Sequence, residues 1–221
     1  MPFPYRILIL LCCSTTLFAQ ASYFGAALPL THTRYGASSG TPVLTSNGTD
    51  VFVLISAEHN LRMLRLGAPA PLARPLLDAT DGDAVWTGSH FLIAGNAHGA
   101  IAGRLVDANG EPAGEPFTIV AQGSKPRLAR DGDRLVLLYE HDGVQSQVLS
   151  LDGVASGTPQ LVTASARDYD VAANATLLAT DAGVKLMKSG VETVVSPMQA
   201  DAVSLALSGD SALAMWSHEG G

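Results

Sequence analysis

GTDVFVLIS (residues 48–56), GSHFLIAGN (88–96), GDRLVLLYE (132–140), NATLLATDA (174–182) and GDSALAMWS (209–217) align without gaps. Each opens on Gly or Asn, passes two mostly polar or small residues and becomes an apolar run. Their starts lie 40, 44, 42 and 35 residues apart, too regular for coincidence. Internal periodicity of this length is the signature of a repeat architecture. A short segment leads into each turn: PVLTSNG (42–48), DAVWTG (83–88), PRLARDG (126–132), YDVAAN (169–174) and VSLALSG (203–209). Asn47-Gly48 and Asp131-Gly132 predict two-residue hairpin turns, whose central positions favour positive φ.

A second turn follows each of the first four apolar runs, at residues 58–60, 97–99, 141–143 and 181–183. A third strand comes next: LRMLRLG (61–67), AIAGRLVDANG (100–110), VQSQVLSLDG (144–153) and VKLMKSG (184–190). PLARPLL (71–77), EPFTIV (115–120), TPQLVTA (158–164) and VETVVSP (191–197) supply a fourth. Four short antiparallel strands in about 40 residues make one propeller blade. The apolar second strand suits a position buried on both faces. No window holds capped apolar spacing at i, i+3, i+4 and i+7, so helix is not expected. A β-sandwich needs no 40-residue repeat, and solenoid repeats are shorter.

The expectation is therefore an all-β chain: a β-propeller of about five four-stranded blades, or a fragment of a larger propeller. The repeat units run over about 41–77, 81–120, 124–163, 168–196 and 200–221, the last incomplete. Ala27–Thr33 reads as a fourth strand without a blade of its own.

The chain has 221 residues, 47% hydrophobic and 15% charged, a composition that argues against disorder. Its net charge of −7 repels a nucleic-acid backbone on average, so no nucleic-acid partner is expected. Arg6, the apolar run from Ile7 to about Phe18 and Ala19-Gln20-Ala21 read as a signal peptide over residues 1–21. Secretion or periplasmic export of residues 22–221 follows, with no transmembrane segment in the mature chain. A lipoprotein anchor is the rival reading, but Leu11 before Cys12 and Cys12 before Cys13 are poor fits. Both cysteines lie in that leader, so no disulfide, thiolate metal site or cofactor is expected afterwards.

The pattern P-x-L-A-x-D-G-D-x-L-V-L-L-Y (Pro126–Tyr139), with L-x-D-x-x-G-x-P-x-G-x-P-F-x-I (Leu105–Ile119) in the preceding unit, resembles repeats of secreted bacterial β-propeller proteins. Most of that group has no assigned biochemical function. The resemblance spans roughly residues 27–221 and implies the fold. It brings no catalytic residue, because the sialidase and tryptophan–aspartate boxes are missing.

Gly36-Ala37-Ser38-Ser39-Gly40 matches a nucleophile elbow by letter, but a strand rather than a helix follows it. Asp83, Asp170 and Asp201 are the stronger candidates. Their segments read as connections between blades, where acids facing one another across a channel mouth could cleave a glycosidic bond. Lys125, Arg127, Arg167 and Tyr169 are candidate ligand-binding residues on the same connections, with Arg127 and Arg167 suited to an anion. Turn chemistry offers the plainer account of the acids.

Asp78, Asp81 and Asp83 resemble a calcium loop without its order or its final Glu. His59, His98 and His141 fall in equivalent second turns, expected on the rim opposite the connections, and no metal is assigned. The leading functional expectation is an exported, non-catalytic binding or scaffold propeller. Its partner would be a protein or carbohydrate of the cell envelope or exterior, and the alternative is a glycosidase-like hydrolase.

Overall fold

The computed structural model describes residues 42–67, 74–208 and 211–218. The leader, Ala27–Thr33 and the Gly36–Gly40 motif lie outside them. The described residues form strands and turns without helix, so none offers a helix long and apolar enough to cross a membrane. Sheet one comprises β1 (Val43–Ser46), β2 (Val51–Ala57), β3 (Asn60–Arg65) and β4 (Pro75–Asp78). Sheet two has β5 (Thr80–Trp86), β6 (Phe91–Ala97), β7 (Ala100–Val106) and β8 (Phe117–Val120). In sheet three lie β9 (Ser124–Asp131), β10 (Arg134–Glu140), β11 (Val144–Leu149) and β12 (Ala155–Thr163).

Sheet four has β13 (Asp168–Ala172), β14 (Ala175–Thr180), β15 (Gly183–Lys188) and β16 (Val191–Ser196), and sheet five β17 (Ala202–Ser208) and β18 (Ser211–Ser217). Every sheet is an antiparallel meander in chain order, and the first strands β1, β5, β9, β13 and β17 pack successively side by side. This is the propeller architecture expected from the repeat, and the described residues form four complete blades and two strands of a fifth.

The second strands β6, β10 and β14 carry apolar runs because their alternate residues serve two neighbouring sheets, whereas β18, expected to be buried on both faces, is mostly exposed. Phe91 and Ile93 of β6 pack toward sheet one with Phe52 and Leu54, whereas Leu92 and Ala94 pack toward sheet three with Leu128 and Leu137. Leu138 of β10 meets Tyr169 and Leu178 of sheet four, while Leu177 of β14 joins Leu205 of sheet five. Most of these side chains are fully buried. Each of the larger ones contributes roughly 1.5–3 kcal/mol of transfer free energy, so the seams between sheets together form the core. Gly95 of β6 shows how tight the first seam is: a Cβ there would lie 2.6 Å from Leu61 Cδ1 and 2.7 Å from the Ala79 Cβ.

Three details of the sequence reading are corrected. The Asn47-Gly48 turn is a four-residue loop, since Ser46 pairs with Val51. The Asn47 carboxamide oxygen accepts the N–H groups of Thr49 and Asp50 at 3.0 and 2.7 Å, and its amide donates to Ala108 O at 3.2 Å. That side-chain wrapping replaces the expected two-residue turn. Asp131 still belongs to β9, paired with Arg134, so the two-residue turn is Gly132-Asp133 with positive φ at Gly132.

The second turns share a rim with the connections between sheets, not the opposite one. Gly123 N–H, in the connection to sheet three, donates to Gly99 O in the second turn of sheet two at 2.8 Å. A meander reverses direction at every strand, so the exits of the second and fourth strands fall on one edge.

Candidate functional site

The sequence reading assigned the candidate residues to connections, but most lie in the first strands. Asp83 is in β5, Lys125 and Arg127 in β9, and Tyr169 and Asp170 in β13. Arg167 and Asp201 immediately precede β13 and β17. The ladder slips by a residue near the start of β5 and of β9. Asp81 and Lys125 there adopt left-handed φ values of 42° and 49°, a conformation costly for residues with a Cβ and common at bulges.

The carboxylates of Asp83 and Asp170 follow one rule. Asp83 Oδ1 accepts the N–H of its neighbour Ala84 at 2.7 Å, and Oδ2 accepts the N–H of Leu128 in the next sheet at 2.6 Å. Asp170 Oδ1 accepts from Val171 at 2.8 Å, and its Oδ2 from Leu205 of sheet five at 2.7 Å. Two residues earlier, Asp168 Oδ2 accepts from Val203 at 2.9 Å. Successive first strands splay apart too far for a backbone ladder of their own, and the side chains bridge the space.

Asp83 is only 8% exposed. Burial pushes its pKa up to about 6, against the Leu128 and Ala84 N–H groups and Arg127, with the Asp170 charge adding to the rise. Burial raises Asp170 too, opposed by the Leu205 and Val171 N–H groups, Arg127 and Ser204.

Arg127 stands between these acids. Its Nη1 lies 3.4 Å from Asp81 Oδ1 and donates to Pro126 O at 2.9 Å. Burial works against its charge, yet Asp81, Asp83, Asp168 and Tyr169 more than offset this and hold its pKa above the ordinary arginine value. The Tyr169 hydroxyl donates to Lys125 O at 2.7 Å, and burial raises the phenol well above its usual range, fixing it as a donor. Lys125 Nζ pairs with Glu140 Oε2 at 3.0 Å.

Arg167 and Asp201 belong to a second group on the rim. Arg167 reaches Asp181 Oδ1 at 2.9 Å and Asp201 Oδ1 at 3.3 Å, and His218 Nδ1 lies 3.3 Å from Asp201 Oδ2. The structure thus brings Asp83, Asp170, Arg127, Lys125 and Tyr169 to three adjacent strands and engages Asp201 elsewhere. Sequence reasoning weighed Asp81 only for a calcium loop and did not single out Asp168. Their signal is the Asp-x-Asp at 81–83 and 168–170, with the basic Lys125-x-Arg127 in the unit between. His59, His98 and His141 stand in exposed turns, and no trio of His, Cys, Asp or Glu among the described residues is placed to hold a metal.

No family model matches the chain, and no curated protein matches its sequence. Solved structures resemble it in fold. BBS1N, solved in complex with ARL6DN, matches with a TM-score of 0.52 at 16% identity over 79% of this chain and 61% of that one. BamB from Moraxella catarrhalis gives 0.49 at 15% identity over 81% and 57%. A subtype N10 neuraminidase-like protein of A/little yellow-shouldered bat/Guatemala gives 0.46 at 11% identity over 69% and 57%. The chain therefore spans about three fifths of the length of these structures, and the likeness is one of fold.

Proposed function

We propose that the chain is an exported, non-catalytic propeller that binds a protein or carbohydrate partner outside the cytoplasm. The observation that carries the reading is the use made of its best catalytic candidates. Both oxygens of Asp83 and of Asp170 accept backbone N–H groups, and one bond of each crosses to the next sheet. A glycosidase needs a carboxylate directed at a substrate and a second one, or a water, at the anomeric carbon. Acids spent on holding sheets together leave a rigid stack of sheets whose rim and outer strands vary freely.

The outer strands support partner binding. Val191 and Val194 of β16 and Leu161 of β12 are more than half exposed, apolar surface on edges that natural sheets usually guard. BBS1N, of like fold, was solved in complex with another protein. Fold-level analogy of that kind lends support without naming a partner.

A hydrolase reading retains one supporting observation, the raised pKa of Asp83, which suits a general acid. Two experiments decide. Glycan-array and crosslinking capture should give a partner that Val194→Glu loses, and turnover of any aryl glycoside that Asp83→Asn abolishes would overturn the binding reading. N-terminal sequencing of exported protein should start at or near Ser22, and an intact Met1 on cytoplasmic protein would refute export.

A further inference from the structure

Two seams of the propeller carry the same carboxylate stitch: Asp83 joins sheet two to sheet three, and Asp170 joins sheet four to sheet five. Between them, on sheet three, Arg127 is within electrostatic reach of both. We propose that Asp83 and Asp170 form a coupled pair of proton-dependent latches, with Arg127 as their shared counter-ion, so that proton uptake at one seam eases the charge at the other.

The surroundings of Asp83 narrow the coupling to a few groups. Of the strands packed against β5, neither β1, β2 nor β6 carries a charged side chain. β3 carries Arg62, 3.8 Å from Glu58, and Arg65, 2.7 Å from Asp50. β9 contributes Arg127, as well as Lys125 paired with Glu140, Arg130 donating to Gly132 O, and Asp131 paired with Arg134. On β5 itself, Asp81 engages Arg127. Asp170 has a similar setting: β14 and β17 carry no charge, Ser204 hydrogen-bonds to it, and Asp168 on its own strand is bound to Val203 N–H. On β10, Arg134 and Glu140 are held by Asp131 and Lys125. Arg127 and Asp170 are thus the charges that bear on Asp83, and Arg127 bears on Asp170 as well.

The direction follows from linkage. The closed seam holds the Asp83 proton with a pKa of about 6, whereas an opened seam exposes the group to water and returns it to the ordinary aspartate value. Proton binding therefore favours the closed seam, and opening becomes rarer as pH falls through 6.

Carboxyl carbon NMR on the full chain tests this. Asp83 should titrate near pH 6, Asp170→Asn should lower that midpoint and Arg127→Gln should raise it. Protection of the Leu128 amide against hydrogen exchange, corrected for intrinsic rate, should rise about tenfold from pH 7 to pH 5. An Asp83 midpoint in the ordinary aspartate range, or Leu128 protection that does not change with pH, overturns the latch on the wild-type chain alone. A midpoint unmoved by either folded variant overturns the coupling.

Discussion

Replacing Asp83 with Asn should change how stability depends on pH more than it changes stability itself. The carboxyl's pKa rises from 3.8 to about 6 on folding, a shift of about two units. At about 1.4 kcal/mol per unit, the native state favours the protonated form by roughly 3 kcal/mol. For a carboxyl with a raised native pKa, that stabilisation is fully present below pH 3.8 and is lost as pH climbs through 6. Asn has no such titration. It keeps one oxygen acceptor but turns an amide toward the second N–H, at Ala84 or Leu128, leaving that donor unpaired at a cost of about 1–3 kcal/mol.

The variant should therefore be the weaker protein at pH 4 and match or exceed the wild type at pH 7.5. Urea unfolding across that range, with the slope checked for constancy, measures the difference. Parallel curves for the two proteins would refute the assignment of a buried, proton-hungry Asp83.

Tyr169→Phe removes the donor to Lys125 O and should cost about 1–3 kcal/mol in urea unfolding, since a carbonyl between sheets three and four loses its partner. Gly95→Val should lower the thermal midpoint sharply or prevent folding, because the new side chain meets Leu61 and Ala79 within contact distance; a midpoint at or above wild type would show that the first seam is looser than described. Arg167→Ala should leave the urea midpoint where it is, because its partners Asp181 and Asp201 stand in solvent on the rim.

The repeat was legible because burial between two neighbours forces a chemical signature onto the second strands of the inner sheets. Phe91, Leu92, Ile93 and Ala94 read as continuous apolar sequence for the same reason that they fill two seams. The turns were half legible. Gly132 marks its hairpin correctly to within one residue, whereas at Asn47 a side chain took over the bonding that backbone geometry alone would have supplied.

The site was least legible. Asp83 and Asp170 stand near Gly82 and in a polar run, which suggests turns, but the groups they satisfy are backbone N–H donors of Leu128 and Leu205. A backbone donor leaves no trace in residue identity, and its distance of 45 or 35 residues along the chain hides it further. The rim assignment of the histidines failed on strand parity, a matter of counting reversals rather than of residue chemistry.

The uneven stitching has a mechanical consequence. Sheets two and three share a carboxylate tie, as do sheets four and five, but at the corresponding place on β9 stands Arg127, which cannot accept a bond from β13. The junction of sheets three and four relies on the Tyr169 hydroxyl and an apolar cluster smaller than the one between sheets two and three. Under tension along the circumference, this junction would part before the stitched ones. The molecule would then yield in pairs of sheets, and a force–extension trace would show a step of about 80 residues for sheets two and three and one of about 50 for sheets four and five, rather than single-sheet steps.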